Sequence, residues 1–526
     1  MRKFWMILLI LCFQLSSLMM FSVDALAQKD TLIIGKQDDT ASLDPAKGYE
    51  AGAWVLLWQM YETLVTFEGD NYIKPVPGLA ESWELSEDGK TWIFHIRKNT
   101  QFSTGNPVNA DAVVYSLHRA IALANPSSWV LTQFGLTEQT ITKIDEYTVQ
   151  MMLNKPYAPE LFLACLIPPV ASILDPVIVK EHEQNNDWGS AWLEEHSAGS
   201  GPFVMGEQVR NKSYVLERNT FYQRGIPKFN RVIVKVVPEP VEQMLQLQER
   251  QIDVALNLQP DQVQELVNTQ DIRIFDTLSF FFTFIGMNNA YPPLGNSNVR
   301  KAIRYAVDYD RIISNILQGT GEKIQTFIPK GLFGYWPETP YTHNIEKAKQ
   351  LLVEAGYPEG FDVELKCLNY SPWIDLALQL KKNLGDIGIK VTINQGTGAK
   401  LMPELFSSRK EFQMYVWEWG FDYPDPDALA KSIAHSDSPG DDATIQAVAW
   451  WCNYVNLQTS KLVEQAASEL DSDKRQALYR QIQEIILDDG PLAILYTQTY
   501  QHGVRSEVAD RISFPSIIWV PFPILK

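Results

Sequence analysis

Apolar residues follow two spacings along the chain, one helical and one alternating, and each predicts a different element. After residue 53 the spacing is helical, which predicts a helix that packs one face on a sheet. Alternation over residues 92–97 predicts a half-buried strand, with a hairpin turn before it at residues 87–90. The helical positions are Trp54, Leu57, Trp58, Tyr61 and Leu64.

The most apolar strand-like stretch lies in the middle of the chain, from Phe280 to Phe284. A run without polar alternation is typical of a strand buried on both faces. A further strand is predicted at residues 491–496, near the C-terminal end.

Helix and strand patterns alternate between residues 344 and 393. Asn344 is placed to cap a helix, residues 361–367 alternate as a strand, 374–384 are helical and 389–393 form another strand. This order is typical of an α/β domain whose helices cover a sheet. Two other helical features are a cap at Asn298 and a pair of helices within residues 461–486, joined near 471–473.

Length and charge limit the class of protein. At 526 residues the chain exceeds what one hydrophobic core usually organises, so two or three domains are expected. The sequence holds 63 acidic and 45 basic residues, a net charge of −18. Such a charge argues against nucleic-acid binding and favours a soluble protein whose copies repel each other. We therefore expect a monomer with no nucleic-acid partner.

The N-terminal segment has the three parts of a secretory signal. Arg2 and Lys3 are followed by an apolar stretch over residues 4–23 and by the small-residue sequence Ala-Leu-Ala at 25–27. This pattern predicts cleavage after Ala27. An uncleaved anchor is the alternative, since the apolar stretch is about long enough to span a bilayer.

Three cysteines follow the predicted cleavage site: Cys165, Cys367 and Cys452. An odd number leaves at least one thiol unpaired. In an oxidising compartment one pair can form a disulfide, and Cys367 with Cys452 is the candidate pair by region. The sequence does not settle the pairing.

The stretch from Tyr415 to Leu429 carries the strongest candidate chemistry. It begins as an alternating aromatic strand and reaches Pro424 and Pro426, whose rings restrict the backbone and predict a rigid loop. Flat apolar faces beside negative charge suit a small organic cation or amine. The aromatic residues are Trp417, Trp419, Phe421 and Tyr423, and the carboxylates are Asp422, Asp425 and Asp427.

The three carboxylates also allow other interpretations. As a calcium site the loop lacks the required order of aspartates and glycine, and for glycoside hydrolysis nothing specifies the distance between two carboxyls. Asp425 and Asp427 fit turn capping better than ligand binding. Asp422 follows the aromatic strand and is the expected partner of a ligand ammonium.

Local motifs of common enzymes are absent from the sequence. The seven histidines form no HExxH pattern, and there is no GxSxG elbow, CxxC pair or Walker sequence. Catalytic triads are assembled in space, so a secreted hydrolase stays open as an alternative from a different class. We expect no catalytic residue, no metal site and no cofactor.

Markers spread over nearly the whole chain after the signal resemble the family 5 extracellular solute-binding proteins, the dipeptide- and oligopeptide-binding proteins of ABC importers. Each marker alone is weak, but their order together is highly specific. They are LDP at 43–45, YETLV at 61–65, PGLAESW at 77–83, DGKTWIF at 88–94, PVNADAVVYSL at 107–117, GSGPF at 199–203, VRKAIRYAVD at 299–308, and residues 348–361.

The resemblance implies an α/β fold of the type II periplasmic-binding-protein clamshell. Two α/β lobes and an extra domain are expected, with two crossing strands that join the lobes and a ligand enclosed between them. Phe280–Phe284 and Leu492–Tyr496 are the candidate crossings. The expected division is a signal peptide over 1–27, lobe I over 28–70, 196–282 and 493–526, extra domain II over 71–195, and lobe III over 283–492.

The resemblance also points to a site. In peptide-binding relatives an aspartate in a motif similar to residues 419–426 receives the peptide's N-terminal ammonium, and Asp422 is the matching position. No arginine for a ligand carboxylate can be matched, and Arg409 fits a surface charge better. The other candidate ligand contacts are Trp417, Trp419, Tyr423, Tyr49, Glu50 and Tyr496.

The resulting prediction is a periplasmic binding protein without catalytic activity. It would capture a di- or oligopeptide and deliver it to the permease of an ABC importer in the inner membrane. Oligosaccharides, opine-like compounds and nickel chelates stay open as ligands, because other members of the family carry them. Trp450 and Trp451 suit a sugar ring, and His435 is a weak candidate for a nickel ligand.

Overall fold

The computed structural model describes residues 30–69, 71–514 and 524–525. The predicted signal segment and its cleavage site lie outside these residues. Within the described part of the chain, no helix is long and apolar enough to cross a bilayer.

The strands include two long ones and many short ones. They are β1 Thr31–Lys36, β2 Val65–Glu68, β3 Asn71–Pro77, β4 Ala80–Leu85, β5 Thr91–Ile96, β6 Ile141–Asp145, β7 Thr148–Met152, β8 Phe203–Val209, β9 Ser213–Arg218, β10 Arg231–Val236, β11 Val254–Ala255, β12 Ile272–Met287, β13 Gly321–Lys323, β14 Asp362–Leu368, β15 Lys390–Gly396, β16 Met414–Trp419, β17 Leu492–Arg505, β18 Ile512–Ser513 and β19 Ile524–Leu525.

The α-helices cover the faces of the sheets. They span Ala51–Met60, Ala110–Ala122, Trp129–Thr132, Pro159–Cys165, Pro176–Glu181, Ser190–Leu193, Pro240–Gln248, Pro260–Leu266, Pro292–Gly295, Ser297–Ala306, Tyr309–Arg311, Ile345–Glu354, Trp373–Gly385, Gly398–Leu405, Pro426–Ala434, Val448–Trp451, Leu457–Ser468, Ser472–Asp489 and Ser506–Ala509. Short 3-10 or π turns lie at Pro126–Ser128, Pro169–Ala171 and Ile312–Ile316.

One sheet of eleven strands runs through both lobes of the protein. Its order is β15-β14-β16-β12-β17-β11-β1-β10-β9-β8, with β13 paired to β17. Strands β12 and β17 have 16 and 14 residues and pair antiparallel from Ile272 opposite Arg505 to Gly286 opposite Leu492. Since β16 flanks this pair on one side and β11 on the other, the two strands connect the lobes, as predicted for the crossings.

Strand β17 continues nine residues beyond the predicted end at Tyr496. The added segment begins Thr-Gln-Thr-Tyr-Gln-His, and its residues 498–500 are only half-buried. A strand that faces a cleft on one side loses the continuous apolar pattern that marks a buried strand. That loss explains why the sequence pattern missed this part of the crossing.

The α/β pattern predicted for residues 344–393 is confirmed. Strands β14 and β15 are parallel neighbours joined through the helix Trp373–Gly385, as expected for a βαβ unit. The side chain of Asn344 caps the preceding helix by accepting a hydrogen bond from the Lys347 amide.

A separate four-stranded sheet, in the order β4-β5-β7-β6, lies wholly within residues 71–195. This segment is the one assigned to the extra domain from the sequence. The exact domain boundaries stay a prediction.

Two details differ from the sequence interpretation. The cap of the helix Ser297–Ala306 is Asn296, whose side chain accepts from the Asn298 amide, so Asn298 lies inside the helix.

The candidate disulfide is absent, because Cys165, Cys367 and Cys452 are all free and buried. Burial raises the pKa of the Cys452 thiol to about 12, which keeps it protonated and unreactive.

The pairing of β12 with β16 depends on a glycine. Gly286 lies opposite Tyr415, and a Cβ at this position would be 2.1 Å from the Tyr415 ring. We expect Gly286→Ala to lower the free energy of unfolding in urea by about 1–3 kcal/mol, because the buried ring must move. Gly385→Ala is the control, since a Cβ there meets no atom within 4 Å. Equal stability of the two variants would contradict this account.

Candidate functional site

A cavity of about 1060 Å³ lies between the two lobes, over the crossing strands. Its floor includes Thr283 of β12 and Tyr496 of β17. One wall comes from β1 and the segment 239–262, and the other from residues 316–318, 370–373 and Glu418. A concave site between lobes, lined by aromatic and polar groups, is a typical ligand-binding position.

The charged groups that line this cavity are mostly acidic. Asp38, Glu239, Asp261 and Glu418 contribute carboxylates, and among the described lining residues the only lysine or arginine is Lys36. The Lys36 ammonium donates to Thr40 Oγ1 and to the Gly52 carbonyl, both at 2.8 Å. Burial lowers the pKa of Lys36 to about 8. The excess of carboxylates favours a cationic ligand over an anionic one.

Glu418 is a site residue that the sequence reasoning missed. In the sheet it lies opposite Thr283, which in turn lies opposite Tyr496, and all three line the cavity. Burial raises the pKa of the Glu418 carboxyl to about 7. The signal was present in the sequence, because side chains alternate along a strand and Glu418 lies between Trp417 and Trp419.

Asp422 and Tyr49 are far apart in sequence but form a hydrogen bond. Tyr49 Oη donates to Asp422 Oδ1 at 2.6 Å, and burial raises the pKa of the Asp422 carboxyl. Asp422 is not part of the cavity lining itself. It follows Gly420, where a Cβ would lie 3.0 Å from the ring of Phe281, a residue of the cavity wall.

Trp417 and Trp419 lie on the opposite face of β16 from Glu418. Trp417 packs against Phe406, with ring centroids 5.1 Å apart, and Trp419 packs against Trp451 at 5.3 Å. Neither lines the cavity. Both indoles therefore pack against other aromatic rings on the side of β16 that faces away from the cavity.

Of the other candidate contacts, one lines the cavity and two do not. Tyr496 lines the cavity, and Tyr423 is fully buried with its hydroxyl donating to Asp427 Oδ2 at 2.7 Å. Glu50 is outside the cavity lining and accepts the Ala41 amide through Oε1 at 2.8 Å. Tyr423 and Glu50 therefore have structural partners that a sequence pattern does not reveal.

The predicted loop spans residues 420–425 and leads directly into a helix that begins at Pro426. Asp425 caps the helix Pro426–Ala434 by accepting the Asp427 amide, which confirms capping for Asp425. Asp425 also forms a buried ion pair with Arg475 at 2.5 Å. Asp427 is paired with Lys431 at 2.6 Å. These pairs hold the helix in the lobe and fix the backbone that presents Asp422.

Comparison with known proteins gives the family. The family of bacterial extracellular solute-binding proteins, family 5 Middle, matches residues 74–441. This chain belongs to that family. The family 5 proteins bind solutes for ABC transporters and are not enzymes.

Several relatives cover almost the whole family 5 chain. The "Probable D,D-dipeptide-binding periplasmic protein DdpA" of Escherichia coli K12 is 30% identical over 497 residues, 94% of this chain and 93% of that protein. The dipeptide-binding protein of the same strain is 29% identical over 531 residues, 95% of each chain. The structure of the Helicobacter pylori periplasmic binding protein DppA with the peptide STSA has 27% identity and a TM-score of 0.74, and it covers 93% of this chain and 95% of its own.

Two residues named from the sequence lie away from the cavity of this solute-binding protein. Arg409 is exposed and lies 3.8 Å from Glu411, in agreement with a surface role. His435, the weak nickel candidate, is buried with Nε2 3.2 Å from Glu464. No group of three or more metal-ligating side chains occurs among the described residues.

The raised pKa of Glu418 predicts a pH-dependent stability in the unliganded protein. The folded state holds this proton more tightly than the unfolded chain, so the stability contribution is lost as pH rises from about 4.5 to about 7. We expect Glu418→Gln to be more stable than the wild type at pH 8, by on the order of 2 kcal/mol. The difference should shrink toward zero at pH 4, as measured by urea unfolding.

The control for this measurement is Glu81→Gln, at an exposed position of β4. It should change stability by about 0.5 kcal/mol or less at either pH. A Glu418→Gln variant that gains no stability at pH 8 would show that the carboxylate is better solvated than this structure indicates.

Proposed function

We propose that this chain is the periplasmic substrate-binding component of an ABC importer that captures a di- or oligopeptide between its lobes and delivers it to the permease. The observation that carries the proposal is the acidic, aromatic cleft beside the Asp422–Tyr49 pair. Export to the periplasm, with cleavage after Ala27, is part of the same proposal. It is supported by the sequence of residues 1–27 and by relatives named as periplasmic.

Asp422 is suited to receive the amino terminus of the peptide. Tyr49 holds one carboxylate oxygen, and no described residue donates to Oδ2. Asp422 is half-buried, and a carboxylate that loses its water when a ligand binds is unfavourable unless a cation or donor completes its hydrogen bonds. A ligand ammonium provides both the charge and the hydrogens.

The contact between Tyr49 and Asp422 also has a mechanical role in the proposal. Tyr49 belongs to the segment assigned to lobe I, and Asp422 to the segment assigned to lobe III. Their hydrogen bond therefore forms only when the lobes approach each other. A ligand ammonium bound to the same carboxylate would add to the interactions that favour the closed state.

The volume and the charge of the cavity support a short peptide as the ligand. The cavity of about 1060 Å³ is at the upper end of the range for drug-sized ligands, which leaves space for a few residues. The acidic lining favours ligands that carry a positive group. Two of the similar proteins are named as dipeptide-binding, and a structural relative holds the tetrapeptide STSA.

Other relatives are named for other ligands, which is why the ligand must be tested. One is the heme-binding protein A of Haemophilus influenzae, 27% identical over 465 residues, 82% of this chain and 80% of that protein. Heme carries two carboxylates, for which the cavity offers only the already bonded Lys36. His502 lines the cavity, but its Nδ1 is 3.0 Å from the Leu256 carbonyl and burial lowers its pKa to about 4.

The test is calorimetric titration of the mature protein with free dipeptides, N-acetylated dipeptides and small oligosaccharides. Free dipeptides should bind and their acetylated forms should not. Asp422→Asn should weaken binding of free dipeptides by on the order of 2–5 kcal/mol, because a buried charge pair is lost.

The matched control is Asp386→Asn, which changes an exposed carboxylate at the end of the helix Trp373–Gly385. It should leave dipeptide affinity unchanged. Binding of oligosaccharides alone would overturn the peptide assignment. Equal binding of free and acetylated dipeptides would overturn the role of Asp422.

A further inference from the structure

We propose that Glu418 binds a second cationic group of the ligand, so that the cleft selects peptides with a basic side chain in addition to the terminal ammonium. This inference rests on the proposed function, since it concerns the ligand of the same cleft. Glu418, Thr283 and Tyr496 are neighbours across β16, β12 and β17, and all three line the cavity. The carboxylate therefore lies on the cavity wall, directly beside the floor that β12 and β17 form.

Glu418, which is half-buried, differs from several fully buried carboxylates of the protein. Asp44 is paired with Arg119 at 2.6 Å, Asp425 with Arg475 and Asp427 with Lys431. Within the described chain no residue donates a hydrogen bond to Glu418 or forms an ion pair with it. Glu418 is half-buried on the cleft, so a ligand that fills the cleft would take this carboxylate out of water. Since buried charges in folded proteins are normally paired, a cationic group of the ligand is the expected partner.

Lys36 cannot be the partner of Glu418 in this structure. Lys36, the only lysine or arginine in the described lining, uses its ammonium on Thr40 and on the Gly52 carbonyl. Its cavity neighbours also include Asp38, so its charge is compensated on its own side of the cleft. Glu418 on the opposite wall is left for a ligand.

Aromatic side chains line the same cavity as this carboxylate. Tyr370, Trp373, Tyr496 and Tyr500 line the same cavity. Burial and, after it, the charge of Glu418 raise the pKa values of Tyr370 and Tyr500. A carboxylate framed by aromatic faces is the arrangement that holds ammonium or guanidinium groups through ion pairing and cation–π contact.

The separation of the two carboxylates fits one small ligand. Glu418 and Asp422 are four residues apart, so their Cα atoms are at most about 14 Å from each other. A dipeptide can place its amino terminus toward Asp422 and an extended basic side chain toward Glu418 within that distance. A neutral side chain of the same length would leave Glu418 without a partner.

The experiment compares two peptides that differ in one charge. Wild-type protein is titrated calorimetrically at pH 8 with Ala-Lys and with Ala-norleucine, whose side chain lacks the ammonium. We expect Ala-Lys to bind at least about tenfold more tightly, as for a buried charge contact. Glu418→Gln should remove this preference while changing Ala-norleucine affinity by less than about threefold.

Two further variants separate this inference from the proposed function. Glu418→Asp keeps the charge and should retain part of the preference. Asp422→Asn should weaken both peptides to the same extent. A thermal melt of each variant confirms that it is folded.

A wild-type protein that binds the two peptides equally would overturn the role of Glu418 and leave the peptide function intact. Equal weakening of both peptides by Glu418→Gln would also overturn it. Binding of 1,5-diaminopentane that depends on Glu418, without binding of either peptide, would support the cation site and overturn the peptide assignment. Absence of binding by all three probes would overturn both.

Discussion

The antiparallel pairing of β12 with β17 is the interaction on which the rest of the structure depends. These strands pair from Ile272 to Gly286 on one and from Arg505 to Leu492 on the other, with register shifts between Leu278 and Phe282 and between Thr283 and Phe284. Both lobes attach their strands to this pair, so the lobes share one sheet. The cavity lies over the same strands, and its floor is therefore made of paired strands of the sheet.

The positions of charges explain how the site is prepared for a ligand. Several interior carboxylates are matched by basic residues, as in the Asp44–Arg119 and Asp425–Arg475 pairs. Two carboxylates at or beside the cleft have no such basic partner in the described chain. Asp422 has one oxygen bonded to Tyr49, and Glu418 has no partner in the described chain. Unmatched carboxylates reduce stability in the empty protein, and under the proposed function a cationic ligand would restore the balance on binding.

The aromatic residues of β16 have a different role from the one that their composition suggests. Trp417 and Trp419 pack against Phe406 and Trp451, so they fix the strand instead of lining the cavity. The charged residue between them faces the cleft. Affinity for a small ligand is gained when the binding group is held on such a rigid support.

Much of the fold could be predicted from the sequence, because hydrophobic spacing reports local burial. The apolar run at Phe280–Phe284 indicated a strand buried on both faces, and Asn344 indicated a helix start, as the structure shows. Where polar residues face the cleft, the pattern weakened, and β17 was predicted to end at Tyr496 although it extends to Arg505. A cleft-facing strand resembles a surface strand in sequence, since both alternate with polar residues.

By itself the sequence determined much of the secondary structure of the lobes and the family markers, and it singled out Asp422 as the candidate ligand contact. Only the tertiary structure decided which groups share the site. Tyr49 and Asp422 are 373 residues apart in the chain, and Thr283, Glu418 and Tyr496 come from three strands. Local pattern fixes which face of a strand is buried, but the contacts between distant segments depend on how the whole sheet assembles.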